Sequence, residues 1–68
     1  MPLSARNHLK GEITDILLGT VTALITLKVG DDIVESVITK RSAEELKLKK
    51  GDQVTAVIKA TEVMIQKD

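Results

Sequence analysis

The chain has 68 residues, with ten basic and ten acidic side chains, one histidine, one proline, and no cysteine or aromatic residue. So short a chain buries too little apolar surface to be comfortably stable alone, and neither a disulfide nor a four-ligand zinc site can supplement its core, which leaves oligomerisation. Balanced charge argues against duplex DNA or an anionic bilayer as partner, and the missing rings remove the platforms on which single-strand nucleic-acid binders stack bases.

No linker, repeat or low-complexity stretch interrupts the sequence, so residues 1–68 are expected to form one domain. The start, MPLSARNH, lacks the apolar core of a signal segment, and no later run approaches the roughly eighteen apolar residues of a membrane span. Both point to a cytoplasmic protein.

Over residues 9–18, Leu9, Gly11 and Ile13 alternate with Lys10, Glu12 and Thr14, which predicts a first strand. Residues 20–29 predict a second, with Val21, Ala23, Ile25, Leu27 and Val29 on one face and many β-branched side chains. Gly30-Asp31-Asp32 supplies a turn into a third strand over residues 33–39. Ser42-Ala43-Glu44-Glu45-Leu46 fits a capping box, so a short helix is expected to start at Ser42, with Lys47, Lys49 and Lys50 near its negative pole and a turn at Gly51-Asp52. Residues 53–59 predict a fourth strand with Val54, Ala56 and Ile58 on one face. Residues 61–66 predict a fifth, with Val63 and Ile65 facing one way and Met64 the other.

Strand, strand, strand, helix, strand, strand is the element order of an all-β, five-stranded OB-type Greek-key barrel with one short helix between strands 3 and 4. An SH3-like barrel is the nearest alternative. Leu24, Val34, Ile38, Val57 and Met64 fall opposite the expected core, and these second apolar faces call for a partner subunit.

A lone histidine without cysteine builds none of the familiar nucleophile and base pairs, so no enzyme is expected. No P-loop or Gly-x-Gly-x-x-Gly cradles a nucleotide, and the carboxylates lack calcium-loop spacing. Three segments invite an anion. In extended backbone Ser4 and Arg6 point the same way, setting a hydroxyl beside a guanidinium; Lys59-Ala60-Thr61 joins a lysine to backbone amides between two strands; Thr39 and Ser42 lie at the helix start, whose free amides attract anions. Short polar termini and helix caps are common, so these residues by themselves leave both readings open.

Read together, SARNHLKGEI at residues 4–13 and VITKRSAEELKLKKGDQVTAVIKATEVMI at residues 37–65 resemble the molbindins, small bacterial proteins built of one molybdenum-binding TOBE-type OB domain. The resemblance implies binding of molybdate or tungstate between subunits of a hexamer assembled as a trimer of dimers, for intracellular molybdenum storage and homeostasis, without catalysis, nucleic acid or membrane. Ser4 and Arg6 would come from one subunit; Thr39, Ser42, Lys59 and the Ala60 amide would come from its neighbour. Some relatives carry serine where this chain has Ala60, which offers only its backbone. Apart from the resemblance, His8 reads either as an exposed histidine at a strand entrance or, following the SARN segment, as lying near a symmetry axis at a second kind of anion site. Physically, a tetrahedral dianion can be held by charge-assisted bonds from Arg6 and Lys59 and positioned by hydroxyls, with no metal-coordinating side chain. A nucleic-acid-binding OB module and a ligand-free oligomerisation module are the competing functions.

Overall fold

The computed structural model describes residues 4–68. Its elements are β1 (Asn7–Leu18), β2 (Thr22–Val29), β3 (Asp32–Thr39), α1 (Lys40–Glu45) and β4 (Gln53–Ile58), followed by a 3-10 turn at Ala60–Glu62. The strands form one antiparallel sheet in the order β3-β2-β1-β4, making an all-β fold with one short helix. Among the described residues no helix is long and apolar enough to cross a membrane.

β1 is the spine of the sheet. Its first half pairs with β4, from Asn7 opposite Ile58 to Glu12 opposite Gln53, and its second half pairs with β2, from Glu12 opposite Lys28 to Leu18 opposite Ala23. The register slips by one residue between Ile13 and Asp15, a β-bulge at Thr14. In a regular strand Asp15 would share the inner face with Ile13; the extra residue instead turns Ile16 inward, onto the core, and leaves Asp15 exposed. Gly11 is buried where β1 passes under β2, and a Cβ there would stand 2.7 Å from the Lys28 carbonyl oxygen. Only glycine permits that approach.

The core is Ile13, Ala23, Ile25, Leu27 and Ala43, with Ile16, Val29, Val34, Ile38, Leu48, Val54 and Ala56 packed against it. The β2 and β4 faces agree with the expected alternation. Val21 does not: Gly19 donates to the Thr22 carbonyl at 2.8 Å, closing a tight connection that starts β2 one residue later and leaves Val21 70% exposed. Val34 and Ile38, expected on an outer face, point inward because they pair with the buried Leu27 and Ala23. The segment IVESVIT offers two equally apolar alternations, and only pairing to β2 selects between them.

The helix starts earlier than its capping box suggests. Thr39 is the N-cap, in extended backbone, and its hydroxyl accepts the Ser42 amide at 3.0 Å; Ser42 therefore sits inside the first turn and forms no box with Glu45. At the other end Leu48 N–H reaches the Ala43 carbonyl at 3.1 Å and Lys47 N–H the Glu44 carbonyl at 3.0 Å, a Schellman motif. Lys47 occupies its left-handed position at φ 53, and the lysines fall beyond the helix rather than in its last turn.

Among the described residues the expected fifth strand is not formed. The 3-10 turn, in which Glu62 N–H donates to the Lys59 carbonyl at 2.9 Å, swings the chain away from the edge of β4, and Val63, Met64 and Ile65 end 47%, 93% and 89% exposed. The sheet curls without closing. β3 and β4 remain as free edges flanking an open apolar cavity of about 380 Å³, lined by Val34, Ser36 and Ile38 on one side and Val54, Ala56 and Ile58 on the other.

Candidate oxyanion site

Two separate clusters emerge from the candidate anion-binding segments. The first lies where β1 begins and β4 ends. Asn7 pairs with Ile58, and its side-chain amide also donates to the Ile58 carbonyl at 3.2 Å, tying the two strand ends together. One residue further out on each strand stand Arg6 and Lys59, both exposed. Ser4, expected from strand alternation to share a side with Arg6, lies instead at a bend ahead of β1. Lys59 precedes the 3-10 turn, with φ -66 and ψ 139, so the amides of Ala60 and Thr61 open that turn and have no acceptor within it. His8 pairs with Val57, two residues along the same face as Arg6, and is exposed.

The second cluster is the start of α1. The Thr39 hydroxyl accepts the Ser42 amide and donates to the Ser42 hydroxyl oxygen at 2.8 Å. Having accepted that proton, the Ser42 hydroxyl keeps its own for an outside acceptor. Thr39 pairs with Thr22, beside the end of β1 where Leu18 meets Ala23. The two clusters therefore sit at opposite ends of a twelve-residue strand, and no hydrogen bond or ion pair joins them among the described residues.

The ion pairs of the described residues are Arg41 with Glu45, Lys49 with Asp52 and Lys50 with Asp15, at 3.4 to 3.8 Å. Arg6 and Lys59 belong to none of them, so both cations are free to meet an external anion. Among the described residues no three His, Cys, Asp or Glu side chains converge on a point where a metal ion would sit. The donors present are ammonium, guanidinium, hydroxyl and amide, the set an oxyanion needs. None of these residues lines the apolar cavity.

Asn7 is the residue whose role the sequence did not disclose. It stands in the SARN segment, but its function is to clamp the end of β4, and so Lys59, beside the N-terminal segment. Lys59 and Ala60 thus follow Ile58, which pairs with Asn7, the residue after Arg6.

A model of the TOBE domain matches residues 3–65. The chain belongs to the TOBE-domain family. A relative named molybdenum-pterin-binding protein 3, from Clostridium pasteurianum, is 48% identical over 66 residues, covering 96% of this TOBE chain and 97% of the relative. The solved structure of a molybdate-binding protein from Sporomusa ovata superposes with a TM-score of 0.94 at 39% identity, covering 98% of this chain and all of the other. A cytoplasmic molybdate-binding protein, ModG, solved with molybdate bound, matches with a TM-score of 0.83 at 43% identity over 88% of this chain and 43% of its own. The molbindin resemblance thus holds in sequence and in fold, and these relatives are named as binding proteins rather than enzymes.

Proposed function

We propose that this TOBE chain binds molybdate, and tungstate by the same chemistry, between subunits of a cytoplasmic hexamer arranged as a trimer of dimers, for molybdenum storage and homeostasis. The observation that carries the proposal is the separation of the two clusters. Arg6 and Lys59, in no ion pair among the described residues, stand at one end of β1; the Ser42 hydroxyl, primed by Thr39, stands at the other. One copy cannot converge them on one ion, whereas a second copy can. The cations supply attraction, the hydroxyls of Ser4, Thr39 and Ser42 set orientation, and the Ala60 amide supplies a donor where a serine hydroxyl is missing.

The domain, residues 1–68, completes its barrel in the same assembly. Residues 61–66 have the alternation of a strand and pair with no strand among the described residues, while β3 and β4 have free edges there and an apolar gap between them. A strand of that sequence laid into the gap gives the five-stranded Greek-key barrel and covers apolar surface that a single copy leaves in water.

Equilibrium dialysis against molybdate and sulfate, with sedimentation of the same samples, tests the function. Saturable molybdate uptake by an oligomer is expected. An oligomer that takes up neither anion is a ligand-free assembly module, and a folded monomer that binds molybdate would place the whole site within one chain.

A further inference from the structure

Arg6 and Lys59 stand just past the end of the β1–β4 ladder, whose last pair is Asn7 with Ile58. Beyond that pair the sheet holds neither chain, yet the backbone of Lys59 is tied on both sides. The peptide group before it, the Ile58 carbonyl joined to the Lys59 nitrogen, is a rigid plane, and the Asn7 side-chain amide donates to that carbonyl at 3.2 Å. Its own carbonyl accepts the Glu62 amide at 2.9 Å, inside the 3-10 turn. With one peptide plane held on each side, the direction in which the Lys59 side chain leaves the backbone is set.

Nothing else sets it. Lys59 is exposed, and among the described residues no other side-chain hydrogen bond and no ion pair reaches residues 57–60. The residue type at position 7 points the same way. Asparagine is depleted from strands, because its side chain competes for backbone groups. Here it is the first residue of β1, partly buried but outside the core, and the competition holds the opposite strand.

We infer that Asn7 is a positioning residue of the oxyanion site: by holding the Ile58 carbonyl it fixes where the Lys59 ammonium reaches, without touching the anion itself. The inference rests on the proposed oxyanion function and adds to it a residue outside the donor set. Fixing the lysine's origin in advance spares part of the ordering that binding would otherwise cost. Asn7 acts through Lys59, so its contribution disappears when the ammonium is absent.

A double-mutant cycle on the full chain tests this, with molybdate affinity measured by equilibrium dialysis. Asn7→Ala should weaken binding roughly three- to tenfold in the parent. In a Lys59→Ala background the same change should cost less than about twofold, while in a Ser42→Ala background the full loss should remain. Equal losses in the parent and in the Lys59→Ala background would overturn the inference, since a residue that only supports the fold weakens every background alike. Asn7→Thr suits a strand better, and its hydroxyl falls one bond short of the amide it replaces. It should keep the parent's melting temperature and still bind molybdate more weakly, and it carries the same cycle if the alanine variant fails to fold; parent-like binding by Asn7→Thr would overturn the inference. Amide hydrogen exchange of the ligand-free protein reads the clamp without the anion: the Glu62 amide should exchange faster in Asn7→Ala while β2 and β3 keep their protection. Unchanged exchange at Glu62 would also overturn it. A protein whose Glu62 amide is freed by Asn7→Ala but whose parent binds no molybdate disproves the oxyanion function and leaves the clamp standing.

Discussion

The Thr39 hydroxyl accepts the Ser42 amide at 3.0 Å and donates to the Ser42 hydroxyl at 2.8 Å, so one side chain both caps α1 and orients a candidate anion donor. The two duties separate by mutation. Thr39→Ala removes the cap and should cost about 1 kcal/mol of stability, seen as a lower urea midpoint. Ser42→Ala leaves the Thr39 acceptor and the amide in place, so it should change the midpoint little while weakening molybdate binding in dialysis. Equal loss of stability in both variants would count against this division.

Arg6 and Lys59 should matter to binding more than the other cations. Replacing either with alanine removes a charge-assisted bond of about 1.5–3 kcal/mol, which corresponds to roughly ten- to hundredfold weaker molybdate binding. Lys49→Ala, which breaks only an exposed pairing with Asp52, serves as the control and should bind like the parent. Arg6→Lys should recover part of the loss, since it keeps the charge but not the planar fork of donors. If both alanine variants bind normally, these residues are not the site.

Lys47 holds φ 53 at the left-handed position of the Schellman motif, where a side chain meets steric resistance that glycine escapes. Lys47→Gly should raise stability by about 0.5–1 kcal/mol, the relief of backbone strain outweighing the added freedom of the unfolded chain. Thermal unfolding of the variant beside the parent measures it. A lower melting temperature would contradict the assignment of strain.

Gly11→Ala tests the crossing of β1 under β2. Its methyl group would meet the Lys28 carbonyl oxygen at 2.7 Å and the Val29 Cγ2 at 2.8 Å, too close for either strand to keep its place. A loss of about 1–3 kcal/mol is expected. Gly30→Ala also meets an unfavourable φ of 59 but no neighbouring atom within 4 Å, so it reports backbone strain without overlap and should cost less.

Element identity was legible in the sequence because it follows from short-range periodicity. The alternation of Ala23, Ile25 and Leu27 and that of Val54, Ala56 and Ile58 identify two strands and their inner faces, Gly30-Asp31 identifies a turn, and the SARN and KATEVM segments identify the family. Tertiary structure decided what periodicity leaves degenerate. Val34 and Ile38 face inward because β3 pairs with β2 in one register, Asp15 stays in solvent because a bulge at Thr14 shifts the alternation, and the helix is capped by Thr39 because that residue is the last extended one before it. The division of the candidate anion donors between the two ends of β1, and the edges that leave residues 61–66 unpaired among the described residues, depend on which strands meet. Pairing joins residues as far apart as Asn7 and Ile58, and the free energy that selects one register comes from burying both partners together, a quantity that no local window of sequence contains.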